Sequence, residues 1–133
     1  PLCRTIFLGE VSVEKRCAEA ALIESLDAGI AAATAGNRVS DVAKALAGPL
    51  GDGDDIGKGF GGLIGVAYPP SMADDVISLN VDSEAILEPN MTFHVCPTLS
   101  VSGANVGIGQ SIRIAEDGAA EVFGGVSPKF ATK

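Results

Sequence analysis

The sequence contains no tryptophan, and aromatic residues make up only 5% of it. A hydrophobic core must therefore be built from aliphatic side chains, and apolar residues reach 47% of the chain. A chain of 133 residues with this apolar fraction is long enough to bury a core. We predict a single domain that covers residues 1–133.

Basic residues are scarce, with 9 Lys and Arg against 17 Asp and Glu, so the formal net charge is −8 at pH 7. Phosphate backbones and anionic lipid surfaces repel such a chain, so we expect neither nucleic acid nor a membrane as a partner. No apolar run approaches the roughly 18 residues that a membrane-spanning helix needs. The first residues also lack the basic segment that opens a signal peptide.

Cysteine is rare as well, and its three positions, Cys3, Cys17 and Cys96, are far apart in the sequence. An odd count without a close pair fits neither a disulfide framework nor a zinc knuckle. Free thiols are typical of a reducing compartment, so we predict a cytoplasmic location. We expect Cys3 and Cys17 to be ordinary small buried thiols.

Hydrophobic periodicity predicts a long helix over residues 13–34, with Ser12 as its N-cap and Gly36 as its C-cap. Its apolar stripe leaves the acidic side chains mostly outside; the stripe comprises Leu22, Ile23, Leu26, Ile30 and Ala33. A shorter helix is predicted to begin at a Ser40 cap and to end at Gly48.

Strand-like runs follow the helices and one run precedes them. They are residues 4–8, 85–88, 91–96, 110–115 and 119–123. A strand, two helices and then several antiparallel strands predict an α+β fold rather than a parallel βαβ array.

Residues 57–70, GKGFGGLIGVAYPP, contain a G-x-G-x-x-G spacing, which raises the possibility of a dinucleotide-binding loop. Such a loop follows a strand and opens a helix, whereas here the polar segment GDGDD precedes it and a Gly- and Pro-interrupted segment follows. A P-loop is also excluded, because Lys58 is followed by Gly59. We instead predict a strand or loop that lets another backbone or a ligand approach closely.

Four segments follow one another in a recognisable order: PLCRTIFLG at 1–9, GFGGLIGVAYPP at 59–70, ILEPNMTFHVCP at 86–97 and SIRIAEDGAAEVFGG at 111–125. This order resembles the pita-bread hydrolases, the M24-type family of aminopeptidase P, prolidase, creatinase and ectoine hydrolase. The segments YPP and MTFH are most similar to the ectoine-hydrolase branch. The resemblance covers only the C-terminal half of the family's catalytic domain. It implies a curved antiparallel sheet covered on one side by two helices.

Metal-dependent members of this family hold two metal ions with two Asp, one His and two Glu. The resemblance implies that both Asp precede Pro1, that the His falls on Gly62 and that one Glu falls on Cys96. The other Glu falls on Gln110 or Gly109, depending on the register. The metal-free branches use a His and Glu pair, and that His again corresponds to Gly62. We therefore predict no metal site and no cofactor.

The remaining candidates for the substrate cleft are Gly62, Tyr68, His94, Cys96 and Gln110. His94 is either a substrate-contacting imidazole or a hydrogen-bonded strand histidine. Tyr68 either binds the substrate or anchors a loop. A Cys96–His94 nucleophilic pair is conceivable, but it lacks an orienting third group.

These observations predict a fragment or degenerate homologue of an amide-, amidine- or X-Pro-cleaving hydrolase, inactive alone and without its metal site. The alternative is a non-enzymatic module on the same fold that binds a small molecule or serves in assembly. In either case the expected ligand is a small amide or dipeptide-like molecule. A half-domain exposes an apolar face that the other half would cover, so we also predict a homo-oligomer.

Overall fold

The computed structural model describes residues 1–51, 59–65 and 77–133. Its elements in chain order are strands β1 (Cys3–Arg4) and β2 (Ile6–Phe7), helices α1 (Val13–Ala32) and α2 (Val39–Ala47), then strands β3 (Gly61–Leu63), β4 (Thr92–Val95), β5 (Thr98–Val101), β6 (Ala104–Arg113), β7 (Glu121–Val122) and β8 (Ala131–Thr132). A short 3-10 turn, Gly48–Leu50, follows α2.

Helix α1 begins where the sequence predicts it, because the Ser12 hydroxyl accepts a hydrogen bond from the Lys15 backbone N–H. It ends earlier than predicted, with Ala33 rather than Gly36 at the C-cap. The Asn37 side chain donates to the Ala32 carbonyl and satisfies that end of the helix. Gly36 instead has a φ of 88° and donates its N–H to Leu87.

Helix α2 begins at Val39, so the predicted Ser40 cap is wrong. The Val39 N–H, which a cap would otherwise serve, is bonded to the Ala85 carbonyl at 2.9 Å. The predicted end of the helix is confirmed, because Gly48 is its C-cap.

The two helices pack closely at one point. A methyl group on Gly29 of α1 would overlap the side chain of Leu46, which is fully buried on α2. Beside this contact, the Ser25 hydroxyl donates a 2.6 Å hydrogen bond to the Leu46 carbonyl, which lies near the end of α2. The glycine therefore permits the approach and the serine ties the end of α2 to α1.

The main sheet has the strand order β1-β6-β4-β3, and β5 and β7 also pair with β6. All of these pairings are antiparallel. Alternate residues of the central strands point into the core, where Phe93, Val95 and Ile112 are buried with the apolar stripes of the two helices. The predicted α+β architecture, with an antiparallel sheet covered on one side by two helices, is confirmed.

Several strand predictions need correction. Residues 85–88 contribute a single bridge, from Ile86 to Arg38, because they pair with the segment between the helices and not with the sheet. Strand β6 begins at Ala104, well before the predicted residue 110. The first predicted strand is split in two, and its second part, β2, pairs in parallel with β8.

The C-terminal segment is held by two side chains far away in the sequence. Arg4 donates to the carbonyls of Val126 and Ser127. Glu19, predicted to lie outside the buried stripe of α1, is 8% exposed and accepts a 2.6 Å hydrogen bond from the Phe130 N–H. Burial of this carboxylate is tolerated because Arg16 contacts it at 2.9 Å. Among the described residues, no helix is long and apolar enough to cross a membrane.

Candidate functional site

The register of the sheet places three side-chain positions in one row on the face opposite the helices. Gly62 of β3 is paired with His94 of β4, and His94 is paired with Ser111 of β6. Directly paired residues of neighbouring strands point to the same side of a sheet. Gly62 and His94, two of the residues predicted from the sequence, therefore lie side by side. We call the side that carries this row the site face.

A second row follows on the site face. Cys3 of β1 is paired with Gly109 of β6, and the β4–β6 register extended by one residue places Cys96 on the other side of Gly109. A Cβ atom on Gly109 would lie 2.7 Å from the Cβ of Cys3, 2.7 Å from the Cε1 of His94 and 3.0 Å from the Sγ of Cys96. These three side chains therefore meet over the backbone of Gly109, which carries no side chain of its own.

Gln110 belongs to the opposite face, because it is paired with the buried Val95. Its amide is fully engaged there. The oxygen accepts a 2.8 Å hydrogen bond from Arg4, and the nitrogen donates to the Phe123 carbonyl. Of the two positions that the resemblance offered for the last Glu, Gly109 is therefore the one that lies beside His94.

The two glycines of β3 confirm the predicted close approach of another backbone. A methyl group on Gly61 would overlap the carbonyl oxygen of His94. A methyl group on Gly62 would lie 3.0 Å from the carbonyl oxygen of Ile77, on the other side of β3. Side chains are excluded here because backbones occupy both flanks of the strand.

His94 is a weak base in this setting. Burial lowers its pKa from the ordinary value of 6.5, while the backbone carbonyls of Gln110 and Pro1 act in the opposite direction. A pKa below 6.5 keeps the imidazole predominantly neutral at pH 7. Its Nδ1 atom is buried and has no hydrogen-bond partner within the described residues. A group of this kind can accept or donate a hydrogen bond to a ligand.

Cys96 is not an activated nucleophile. Burial, together with the neighbouring Cys3, raises the pKa of its thiol to about 12. A nucleophilic cysteine needs a lowered pKa, since the thiolate is the reactive form. This environment argues against the Cys96–His94 nucleophilic pair considered from the sequence, although both side chains reach Gly109.

Tyr68 lies outside the described residues, as do Gly57 and Lys58 of the glycine-rich segment. Cys3 and Ser111 were not among the predicted site residues, and the expected burial of Cys3 and Cys17 is wrong, because Cys3 is half-buried and Cys17 is exposed. Strand alternation within β6 places Ser111 and Gln110 on different faces of the sheet, so Ser111 could have been found from the sequence. Cys3 could not, because the pairing of β1 with β6 has no local signal in the sequence.

A di-metal centre does not fit the described part of the site. Such a centre requires carboxylate oxygens, and the site-face rows offer thiols, an imidazole and a hydroxyl. The carboxylate of Glu121, close to these rows on β7, is held by Arg113 at 2.8 Å. Among residues 1–51, 59–65 and 77–133, no three His, Cys, Asp or Glu side chains are arranged to hold a metal ion.

Comparison with known proteins identifies a family that matches most of the chain. The sequence profile of Metallopeptidase family M24 matches residues 1–120. The chain is 40% identical over 123 residues to ectoine hydrolase from Halomonas elongata, an alignment that covers 89% of this chain and 30% of that protein.

Two solved structures share the fold. A dipeptidase from Pyrococcus horikoshii OT3 superposes with a TM-score of 0.82 at 22% identity, over 99% of this chain and 36% of that one. An X-Pro aminopeptidase from Thermotoga maritima MSB8 gives a TM-score of 0.81 at 18% identity, over 99% and 37%. The chain thus spans only 30% of the enzyme from Halomonas elongata and 36–37% of these two structures.

Proposed function

Because the chain belongs to Metallopeptidase family M24, we propose that residues 1–133 form part of a hydrolase-type cleft that binds a small amide or cyclic amidine without a metal centre. The observation that carries this proposal is the composition of the site face. Glycine, a neutral thiol and a neutral imidazole occupy the space where catalysis by this family would need carboxylates and an imidazole ligand. Residues 1–133 by themselves then bind ligand and do not turn it over.

His94 is the proposed ligand contact. Its neutral imidazole can hydrogen-bond an amide or amidine group without the cost of removing a charge from water. The bare Gly109 beside it leaves room for a flat group over the sheet. The similarity to ectoine hydrolase makes ectoine, a cyclic amidine, the first ligand to test.

Calorimetric titration with ectoine and with an X-Pro dipeptide tests this proposal. We expect saturable binding of one of them, weakened about tenfold when His94→Ala removes one hydrogen bond made in a desolvated site. Cys17→Ser is the matched control, since Cys17 is exposed on α1, and it should bind like the unsubstituted protein. Equal affinity of the His94→Ala variant would remove His94 from the site.

Hydrolysis and metal content are measured on the same preparation. We expect no product from either ligand and less than one equivalent of Mn²⁺, Co²⁺ or Zn²⁺ per chain. One or two equivalents of such an ion, together with turnover, would overturn the metal-free proposal and leave the ligand-binding result standing.

A second candidate is a binding or assembly module whose cleft does not derive from a working active site. The protonated Cys96 thiol favours it, because neither a nucleophile nor a general base is then available beside His94. The two candidates separate on the ligand: binding of neither ectoine nor an X-Pro dipeptide would favour the assembly module.

A further inference from the structure

Two thiols face each other across Gly109. Cys3 approaches from β1 and Cys96 from the β4 side, so that the Cβ of Cys3 and the Sγ of Cys96 both lie over Gly109. Both are partly exposed free cysteines, so a small ion can reach them from solvent. The proposed ligand contact is His94, and the two thiols lie beside it around Gly109.

The pair is not placed to form a disulfide. Cys3 and Cys96 lie on the two strands that flank β6, so their Cα atoms are about 9.6 Å apart at ordinary strand spacing. A disulfide needs Cα atoms within about 7 Å. The sheet therefore brings both cysteine side chains over Gly109 while it prevents a disulfide between them.

Arg4, whose guanidinium bonds to Gln110 on the helix side of the sheet, supplies positive charge to the thiol pair from that side. Arg4 follows Cys3 directly, and its charge lowers the pKa of Cys96 against the larger effect of burial. Within the described residues, all five acceptors of the Arg4 guanidinium are neutral: the carbonyls of Cys3, Gly109, Val126 and Ser127 and the amide oxygen of Gln110. None of these acceptors neutralises the cation.

We infer that Cys3 and Cys96 form a binding site for a soft monovalent metal cation, with Cu⁺ as the ion to test. Thiolate sulfur is the ligand that soft ions select, and a monovalent ion held by two thiolates leaves one negative charge, which Arg4 offsets. As each S–Cu bond forms, the thiol releases its proton to solvent, and neither sulfur nor copper changes its oxidation state. Gly109 is required, because a side chain there would occupy the space between the sulfur atoms.

The donor set argues against harder ions. Zn²⁺ in structural sites takes four ligands, and the described residues contain no group of three ligands arranged for a metal. The imidazole of His94 reaches Gly109 through its Cε1 atom. The adjacent Nδ1 atom is buried without a partner among the described residues and therefore lies near an ion bound there.

The test is an anaerobic titration of the full, reduced chain with Cu⁺ in competition with a coloured Cu⁺ chelator. We expect one Cu⁺ per chain in this site, and a loss of affinity of about tenfold or more in both Cys3→Ser and Cys96→Ser. Cys17→Ser should leave the titration unchanged, because Cys17 lies exposed on α1. Thermal unfolding of each variant shows whether the fold is intact.

X-ray absorption at the copper edge provides the second readout, and two sulfur neighbours per copper are expected in the unsubstituted chain. Unchanged Cu⁺ affinity in a folded Cys3→Ser variant would overturn the inference. So would an equal loss in Cys17→Ser, or a copper environment without sulfur. Failure of ectoine binding would not bear on it, since the metal titration requires no organic ligand.

Discussion

Arg4 joins three separate segments of the described chain. Its guanidinium donates to β1 itself, to two residues of β6 and to the C-terminal segment at Val126 and Ser127. The planar fork of arginine suits such divergent acceptors, whereas lysine offers a single nitrogen. The site face and the C-terminal segment thus depend on one residue.

Arg4→Ala is expected to lower the free energy of unfolding by about 2–4 kcal/mol, because several charge-assisted hydrogen bonds are lost together. Urea denaturation measures this loss of unfolding free energy. Arg38→Ala is the control: Arg38 is exposed and makes no side-chain cap bond on α2, so a change within about 0.5 kcal/mol is expected. Equal costs for the two substitutions would contradict the role given to Arg4.

Gly109→Ala is expected to destabilise the fold by about 1–3 kcal/mol, since the new methyl group would press on Cys3 and His94 from 2.7 Å. Gly59→Ala serves as the control, because a methyl group there meets no atom within 4 Å. Urea denaturation compares the free energy of unfolding of the two variants. An unchanged free energy of unfolding in Gly109→Ala would mean that the space over β6 is larger than described.

The lowered pKa of His94 predicts a pH dependence of stability. The unfolded chain binds a proton near pH 6.5 and the folded chain only at lower pH, so stability rises with pH between these two values and is lost as the pH falls through them. In His94→Asn this component disappears. Urea unfolding at about pH 7.5 and pH 5.5 should therefore show a smaller loss in the variant than in the unsubstituted chain. A larger loss of stability in His94→Asn than in the unsubstituted chain would contradict a lowered pKa of His94 in the folded state.

At the scale of elements, the helices were predictable because each carries its own signal. The stripe of α1 and the Ser12 cap are local in sequence; the cap is confirmed, and Leu22, Leu26 and Ala33 of the stripe are buried. The start of α2 was missed because its first N–H bonds to Ala85, a residue more than forty positions away. Strand pairing depends on such distant contacts throughout, so the neighbours of β6 and the meeting of Cys3 with Cys96 could not be predicted from the sequence.

The contact between α1 and α2 predicts that one substitution, Gly29→Ala, changes the free energy of unfolding in opposite directions depending on the residue at position 46. Gly29→Ala should destabilise by about 1–3 kcal/mol, because its methyl group overlaps Leu46, despite the gain in helix propensity. In a Leu46→Ala background the overlap is gone, and the same substitution should stabilise by up to about 1 kcal/mol. A double-mutant cycle by urea unfolding measures the coupling. Additive effects would refute close packing at this point.

At the scale of the whole molecule, large apolar side chains remain exposed near the start of the described chain. Leu8 is 81% and Val13 is 79% exposed, and Ile6 is 63% exposed. Surfaces of this kind promote association. The predicted homo-oligomer remains a proposal, and its cause would be this surface.

Sedimentation velocity across a range of protein concentrations tests association. We expect a species larger than a monomer, and a shift towards monomer when Leu8→Lys and Val13→Lys place charges on the exposed surface. A double change at exposed acidic positions, Glu24→Gln with Asp117→Asn, alters the net charge by the same two units and is the control. A clean monomer at high concentration would exclude the proposal.

The parallel pairing of β2 with β8 joins residues from opposite ends of the described sequence, since Ile6 is paired with Ala131 and Phe7 with Thr132. During synthesis on a ribosome, β2 emerges well before β8, because both helices and all the other strands except β1 lie between them in the sequence. Phe7, which packs against Phe130 in the folded chain, stays uncovered meanwhile, and contacts of such long sequence separation form slowly. This closing step is where we expect chaperones to act on the newly made chain.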